Sequence, residues 1–125
     1  MSIAVLNYIG NLMQSMGIPY AFMRWNTEPP EDYYFVGEYN EHEMTTREEC
    51  GRQDATFILR GYTRGSWLLL EQAKAKIEKG LPLTAILDDG SGVAIFYSYG
   101  TVIPTGDADF KSIKIDLTIQ EWKVN

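Results

Sequence analysis

Residues 112–122 read SIKIDLTIQEW, and this stretch decides the fold. Apolar and polar side chains alternate along it, and successive side chains of a strand point to opposite faces of a sheet. The alternation therefore predicts a strand with one dry face and one wet face. Because the stretch has few of the charges or prolines that blunt an exposed edge, it either lies inside a sheet or pairs with a neighbour. Its apolar face consists of Ile113, Ile115, Leu117 and Ile119.

Five shorter runs are rich in the aromatic and β-branched residues that favour strands. They are 18–25, 33–39, 55–63, 84–87 and 93–99. The first two flank a polar turn that contains Pro29 and Pro30, so we expect them to form a hairpin. In 55–63, apolar side chains occur at odd and even positions, which predicts burial on both faces of that strand.

Two segments have the periodicity of helices. Ser2 can cap the first, which Gly17 and Pro19 end. Ser66 can cap the second, which ends at Gly80 and carries an apolar stripe made of Leu70, Ala73 and Ile77. Together the elements predict an α+β fold, with an antiparallel or mixed β-sheet of about five to six strands and two helices packed on one face.

The composition fits one domain over 1–125, since 125 residues with 45% hydrophobic content can form a single core. One cysteine allows no intrachain disulfide, which fits a reducing compartment. The N-terminal residues lack a basic leader and a cleavage pattern, so we expect neither a signal peptide nor a membrane span. A net charge of −6 argues against a nucleic-acid binder, because Lys and Arg supply most of the affinity for phosphates.

The segment 40–53 is polar and has no apolar period, so we expect a long exposed loop. Such a charged run is often only a solvated surface. A loop this long in a small domain can also persist because it contacts a partner. The candidate partner-contact residues are Glu41, Glu43, Arg47, Glu48, Glu49 and Arg52.

Residues with catalytic or metal-binding chemistry do not form a recognisable site. His42 and Cys50 lie in the polar segment without the further ligands that a zinc site needs. There are two acidic pairs, Asp88 with Asp89 and Asp107 with Asp109, and each lies beside a glycine. Aspartate is favoured in such turns because its side chain hydrogen-bonds to the local backbone. We therefore expect a protein that is not an enzyme and that uses no cofactor or metal.

Several features along nearly the whole chain carry a family resemblance. They are the helix end at 17–20, the hairpin at 25–39 with its acidic, proline-containing turn, the loop at 40–53, the strand 54–62 leading into a helix with Leu70 and Glu71, and the closing strand with Glu121 and Trp122. In the order and length of these elements, and in the kind of residues that form them, the chain resembles the tail terminator proteins of long-tailed bacteriophages and prophages. These proteins are also called tail completion or head-to-tail joining proteins.

The resemblance implies a structural protein that forms a homohexameric ring and caps the tail tube. Its partners would be itself, the tail tube protein and a head connector protein, and DNA would pass through the ring without specific binding. The loop at 40–53 would project toward the tube or lumen. The resemblance further implies assembly in the host cytoplasm, then a place in the virion at the tail–head junction, and no contact with a membrane.

Two other functions fit the same residues. One is a different head–tail connector component, a stopper or adaptor, which would share the ring but have other neighbours. The other is a small-molecule-binding or enzymatic domain of ferredoxin-like type, with Tyr and Trp side chains lining a pocket.

Overall fold

A computed structural model describes residues 1–41 and 52–122, although not the side chains of residues 52 and 53. The elements in chain order are α1 (Ile3–Ser15), β1 (Tyr20–Phe22), β2 (Tyr34–Glu41), β3 (Arg52–Thr63), α2 (Trp67–Lys79), β4 (Leu83–Ile86), β5 (Gly92–Ile103) and β6 (Lys111–Trp122). The strands form one sheet in the order β1-β2-β3-β6-β5-β4. The sheet is mixed and curled, which confirms the predicted α+β fold with six strands and two helices.

The two helices begin at the predicted caps. The Ser2 hydroxyl accepts a hydrogen bond from the Val5 N–H at 3.2 Å, and the Ser66 hydroxyl accepts one from the Leu68 N–H at 3.2 Å. Each cap satisfies a backbone donor that the first helical turn leaves without an intrahelical partner. Both helices bury one stripe in the same core as the sheet, and these stripes are Val5, Ile9 and Met13 in α1 and Leu70, Ala73 and Ile77 in α2.

Strand β6 lies inside the sheet, paired with β3 on one side and with β5 on the other. This decides between the two positions that the sequence allowed for it. The predicted dry face is confirmed, because Ile113, Ile115, Leu117 and Ile119 are all buried. The opposite face is less wet than predicted, since Asp116 on that face is only 5% exposed.

The predicted hairpin of the first two strands is wrong. β1 has three residues and runs parallel to β2, with Ala21 opposite Val36. Met23 follows with a φ of 69°, in the left-handed region, and its N–H donates to the Gly37 carbonyl at 2.8 Å. The segment 23–33 then returns the chain to the same end of the sheet, as a parallel pair requires.

The bounds predicted for the loop at 40–53 also need correction. Asn40 and Glu41 end β2, whereas Arg52 and Gln53 begin β3. Strands pair through main-chain hydrogen bonds, so a strand can extend through polar residues whose side chains do not alternate with apolar ones. The remainder of the predicted loop, 42–51, lies outside the described residues.

A close approach of β2 to β3 depends on a glycine in the core. A Cβ atom added at Gly61 would lie 2.5 Å from two ring carbons of Phe35, whose side chain is fully buried. A Cβ added at Gly65, just after β3, would meet its nearest neighbour, Leu69 Cδ1, at 3.5 Å. Only the first contact is too short to be accommodated without moving a buried ring.

We expect Gly61→Ala to lower the free energy of unfolding by about 1–3 kcal/mol, as other overpacked core substitutions do. Gly65→Ala is the matched control and should change it by about 0.5 kcal/mol or less. Urea denaturation followed by circular dichroism measures both changes. Equal stabilities of the two variants would contradict the described packing of Phe35.

Candidate functional site

The face of the sheet opposite the helices, here called the helix-free face, carries a row of aromatic rings. Trp25 meets Tyr34 edge-on at 6.2 Å between ring centroids, and Tyr34 lies 5.3 Å from Tyr62. Tyr62 stacks on Phe110 at 5.5 Å, and the Arg64 guanidinium lies 4.8 Å from the Phe110 centroid. Such contacts stabilise neighbouring strands, and here they form a stripe across β2, β3 and the start of β6.

A pocket of about 520 Å³ lies at one end of this row. Aromatic side chains form part of its lining, and charged groups come from Arg24, Glu38 and Arg60. The Arg60 Nε donates to Glu38 Oε1 at 2.7 Å, and this hydrogen bond raises the pKa of Arg60. Apolar surface with a few polar groups is what a small ligand requires, so this pocket is the site that the small-molecule alternative would use.

The middle of the helix-free face holds the buried carboxylate of Asp116. Its Oδ1 lies 3.7 Å from the Lys114 Nζ. A hydrogen bond between Asp116 and the Tyr99 hydroxyl raises the pKa of Tyr99, because the neighbouring negative charge opposes ionisation of the phenol. The carboxylate thus links the centre of the sheet to β5.

In the part of the chain that the structure describes, one side of β5 has no partner strand over most of its length. β4 pairs only with residues 92–95 of β5. Within the described ranges 1–41 and 52–122, no strand pairs with residues 96–103 on the side away from β6. We call this side of residues 96–103 the β5 edge.

The sequence of the β5 edge, FYSYGTVI, contains no charge and no proline. Phe96, Tyr99 and Val102 on it are 38%, 51% and 61% exposed. Natural proteins usually protect such an edge with charges, prolines or a covering element, because an unpaired ladder readily accepts another strand. The single irregularity is a register shift between Tyr97 and Tyr99, which bends the strand without covering it.

The far edge of the sheet is formed by β1. It is a short strand that pairs with β2, and no second strand lies beside it in the part of the chain that the structure describes. Phe22 at its end is 38% exposed and Met23 next to it is 62% exposed. Both edges of the sheet therefore present uncharged, partly apolar residues.

Of the six candidate partner-contact residues, only Glu41 and the main chain of Arg52 belong to the described part of the chain. Glu41 ends β2, where its carboxylate contacts the amino group of Met1. Arg52 begins β3, with its side chain outside the description. Glu43, Arg47, Glu48 and Glu49 lie outside the described residues, as do His42 and Cys50.

The predicted turn roles of two aspartates are confirmed. Asp89 Oδ1 accepts from the Ser91 N–H at 3.0 Å, and Asp107 Oδ1 accepts from the Asp109 N–H at 2.9 Å. Within 1–41 and 52–122, no group of three or more His, Cys, Asp or Glu side chains could hold a metal ion.

The sequence reasoning missed the β5 edge. The sequence pattern predicted this strand only as far as residue 99, and the stretch considered as a possible edge was 112–122, with a position inside the sheet as the alternative. The signal that could have revealed it is the uncharged run 96–103, which continues past the predicted strand end.

No protein-family model matches the chain, and no curated protein matches it. None of the helices in the described part of the chain is long and apolar enough to cross a membrane.

We expect Asp116→Asn to lower the pKa of Tyr99 toward its ordinary value, because the charge that opposes ionisation is removed. Asp109→Asn removes one negative charge from an exposed turn and should leave Tyr99 unchanged. The ¹³Cζ chemical shift of Tyr99, followed against pH, measures both. An unchanged pKa in Asp116→Asn would show that the carboxylate does not reach the phenol.

Proposed function

We propose that this protein is a structural assembly subunit that associates with copies of itself through the β5 edge, and that it serves as a phage tail terminator. The observation that carries the proposal is the β5 edge itself, an uncharged strand segment with exposed apolar side chains and no partner strand within 1–41 and 52–122. A strand of this kind is stable in solution when a partner completes its ladder.

The difference between the two sheet edges supports a ring. One edge consists of β1 and the other of β4 with the β5 edge, so a contact between them is head-to-tail. Head-to-tail contacts repeated by rotation either close into a ring or grow into a filament. Closure at six copies, capping of the tail tube and docking of the head connector are taken from the family resemblance, as is residence in the host cytoplasm and then in the virion.

The pocket beside the aromatic row favours the second candidate function, binding of a small molecule. Its aromatic lining and its Glu38–Arg60 pair could stack on and hydrogen-bond to a ligand. The two functions differ in what they require, because ligand binding needs the pocket in a monomer whereas a ring needs the sheet edges. Stopper or adaptor proteins would share the ring and differ only in the neighbour that they bind.

We expect Val102→Lys to prevent or weaken self-association, because a charge on the β5 edge must lose its hydration when another strand pairs there. The association constant should fall at least about tenfold, equivalent to ~1.4 kcal/mol per contact. Leu68→Lys is the matched control, since Leu68 is 64% exposed, as Val102 is 61% exposed, but lies on α2 and not on a strand. Light scattering at low and high ionic strength measures the mass of both variants and of the unchanged chain.

Electron microscopy of the protein mixed with assembled tail tubes tests the specific assignment. Density at the tube end supports a terminator, whereas an assembled ring that leaves tubes bare supports a stopper or adaptor. A strict monomer at every ionic strength, with bare tubes, contradicts the proposed function and favours the pocket.

A further inference from the structure

The strand directions make the two edges of the sheet suited to each other. β1 is parallel to β2, and each step from β2 to β3, β6 and β5 reverses the direction. β1 is therefore antiparallel to β5. A copy related by rotation about an axis along the strands keeps these directions, so its β1 would run antiparallel to the β5 edge, the more stable arrangement of two strands.

The two edges also lie at the same height in the sheet. The paired residues form a row across the sheet, in the order Ala21, Val36, Arg60, Lys114 and Thr101. The same axis keeps the height of each residue and places β1 of the next copy beside residues 100–102. β4 does not obstruct that position, because its pairing with β5 stops at Ile95.

The residues at this height on the two strands are uncharged and mostly apolar or aromatic. The row containing Phe22 ends at Gly100, so these two residues would lie opposite each other. The space beside Gly100 on that face is already occupied by the Tyr97 hydroxyl and the Lys74 side chain, so the Phe22 ring would pack against these groups. The row through Tyr20 ends at Val102, which pairs an aromatic with a β-branched side chain. No charge occurs in β1 or in the β5 edge, so neither strand would bury an ion.

We propose that β1 of one copy pairs antiparallel with the β5 edge of the next, with Ala21 opposite Thr101 and Phe22 opposite Gly100. This proposal rests on the proposed assembly function and gives it a specific interface. The contact is directional, so each copy receives a strand on one edge and donates one from the other. The curled sheet would then continue from copy to copy around the ring.

The test is disulfide cross-linking in a Cys50→Ser background, which removes the native thiol. Ala21→Cys and Thr101→Cys place thiols on the helix-free face of facing strands, within the range of a cross-strand pair. After mild oxidation, the double variant should give a ladder of covalent oligomers that ends at the closed ring. An equal mixture of the two single variants should give dimers and nothing larger.

The control is Ala21→Cys with Val102→Cys, which moves one thiol by a single residue and therefore to the opposite face. This pair should lose the ladder. Light scattering of each reduced protein reports whether it still assembles, independently of cross-linking.

The outcomes separate the interface from the proposed function. Assembly of the reduced proteins without the Ala21–Thr101 ladder overturns the interface and leaves the ring standing. Association that stops at two copies indicates that β5 pairs with β5 of a second copy, which also overturns the interface. If the Cys50→Ser protein stays monomeric at all concentrations and ionic strengths, the proposed function fails together with the interface.

Discussion

The main-chain hydrogen bonds of β6 run to β3 on one side and to β5 on the other, and the positions of the other elements follow from them. β6 is long and paired on both sides, and its buried apolar face belongs to the same core as the buried stripes of both helices. Its neighbours must cover the same length, and β3 does so. β5 does too, but β4 accompanies it for only four residues. Among the described strands, the β5 edge has no partner because β6 and β5 are long whereas β4 is short.

Local physical signals were sufficient to predict much of the fold. Ser2 and Ser66 are caps because their hydroxyls can accept from the first helical turn, and the stripe of Leu70, Ala73 and Ile77 is buried because its spacing matches the helical period. The alternation in β6 predicted its dry face because it matches the two-residue period of a strand. These features depend on residues close together in the chain, which is where sequence patterns are informative.

The features that the sequence did not predict depend on pairing between distant segments. Nothing local distinguishes a parallel β1 from a hairpin strand, since the direction is set by the path of 23–33 across the sheet. The burial of Asp116 could not be read from its alternation with isoleucines, because it results from the strands on either side and from the curl of the sheet. The candidate site also depends on pairing between distant segments. An uncharged run such as 96–103 can be found in the sequence, but only the strand order shows that it lies at an edge.

The distribution of charge bears on how a ring of this chain would meet DNA. Three cations on or beside the helix-free face stand near carboxylates, in the pairs Arg60–Glu38, Lys114–Asp116 and Arg64–Asp107. Phosphate binding requires cations that are free to replace the counterions of the nucleic acid, and a cation held by a carboxylate does this poorly. The aromatic row alone could stack on exposed bases, but duplex DNA presents phosphates and not base faces. If the proposed ring turned this face toward its lumen, these three carboxylates would reduce the attraction of their partner cations for duplex DNA.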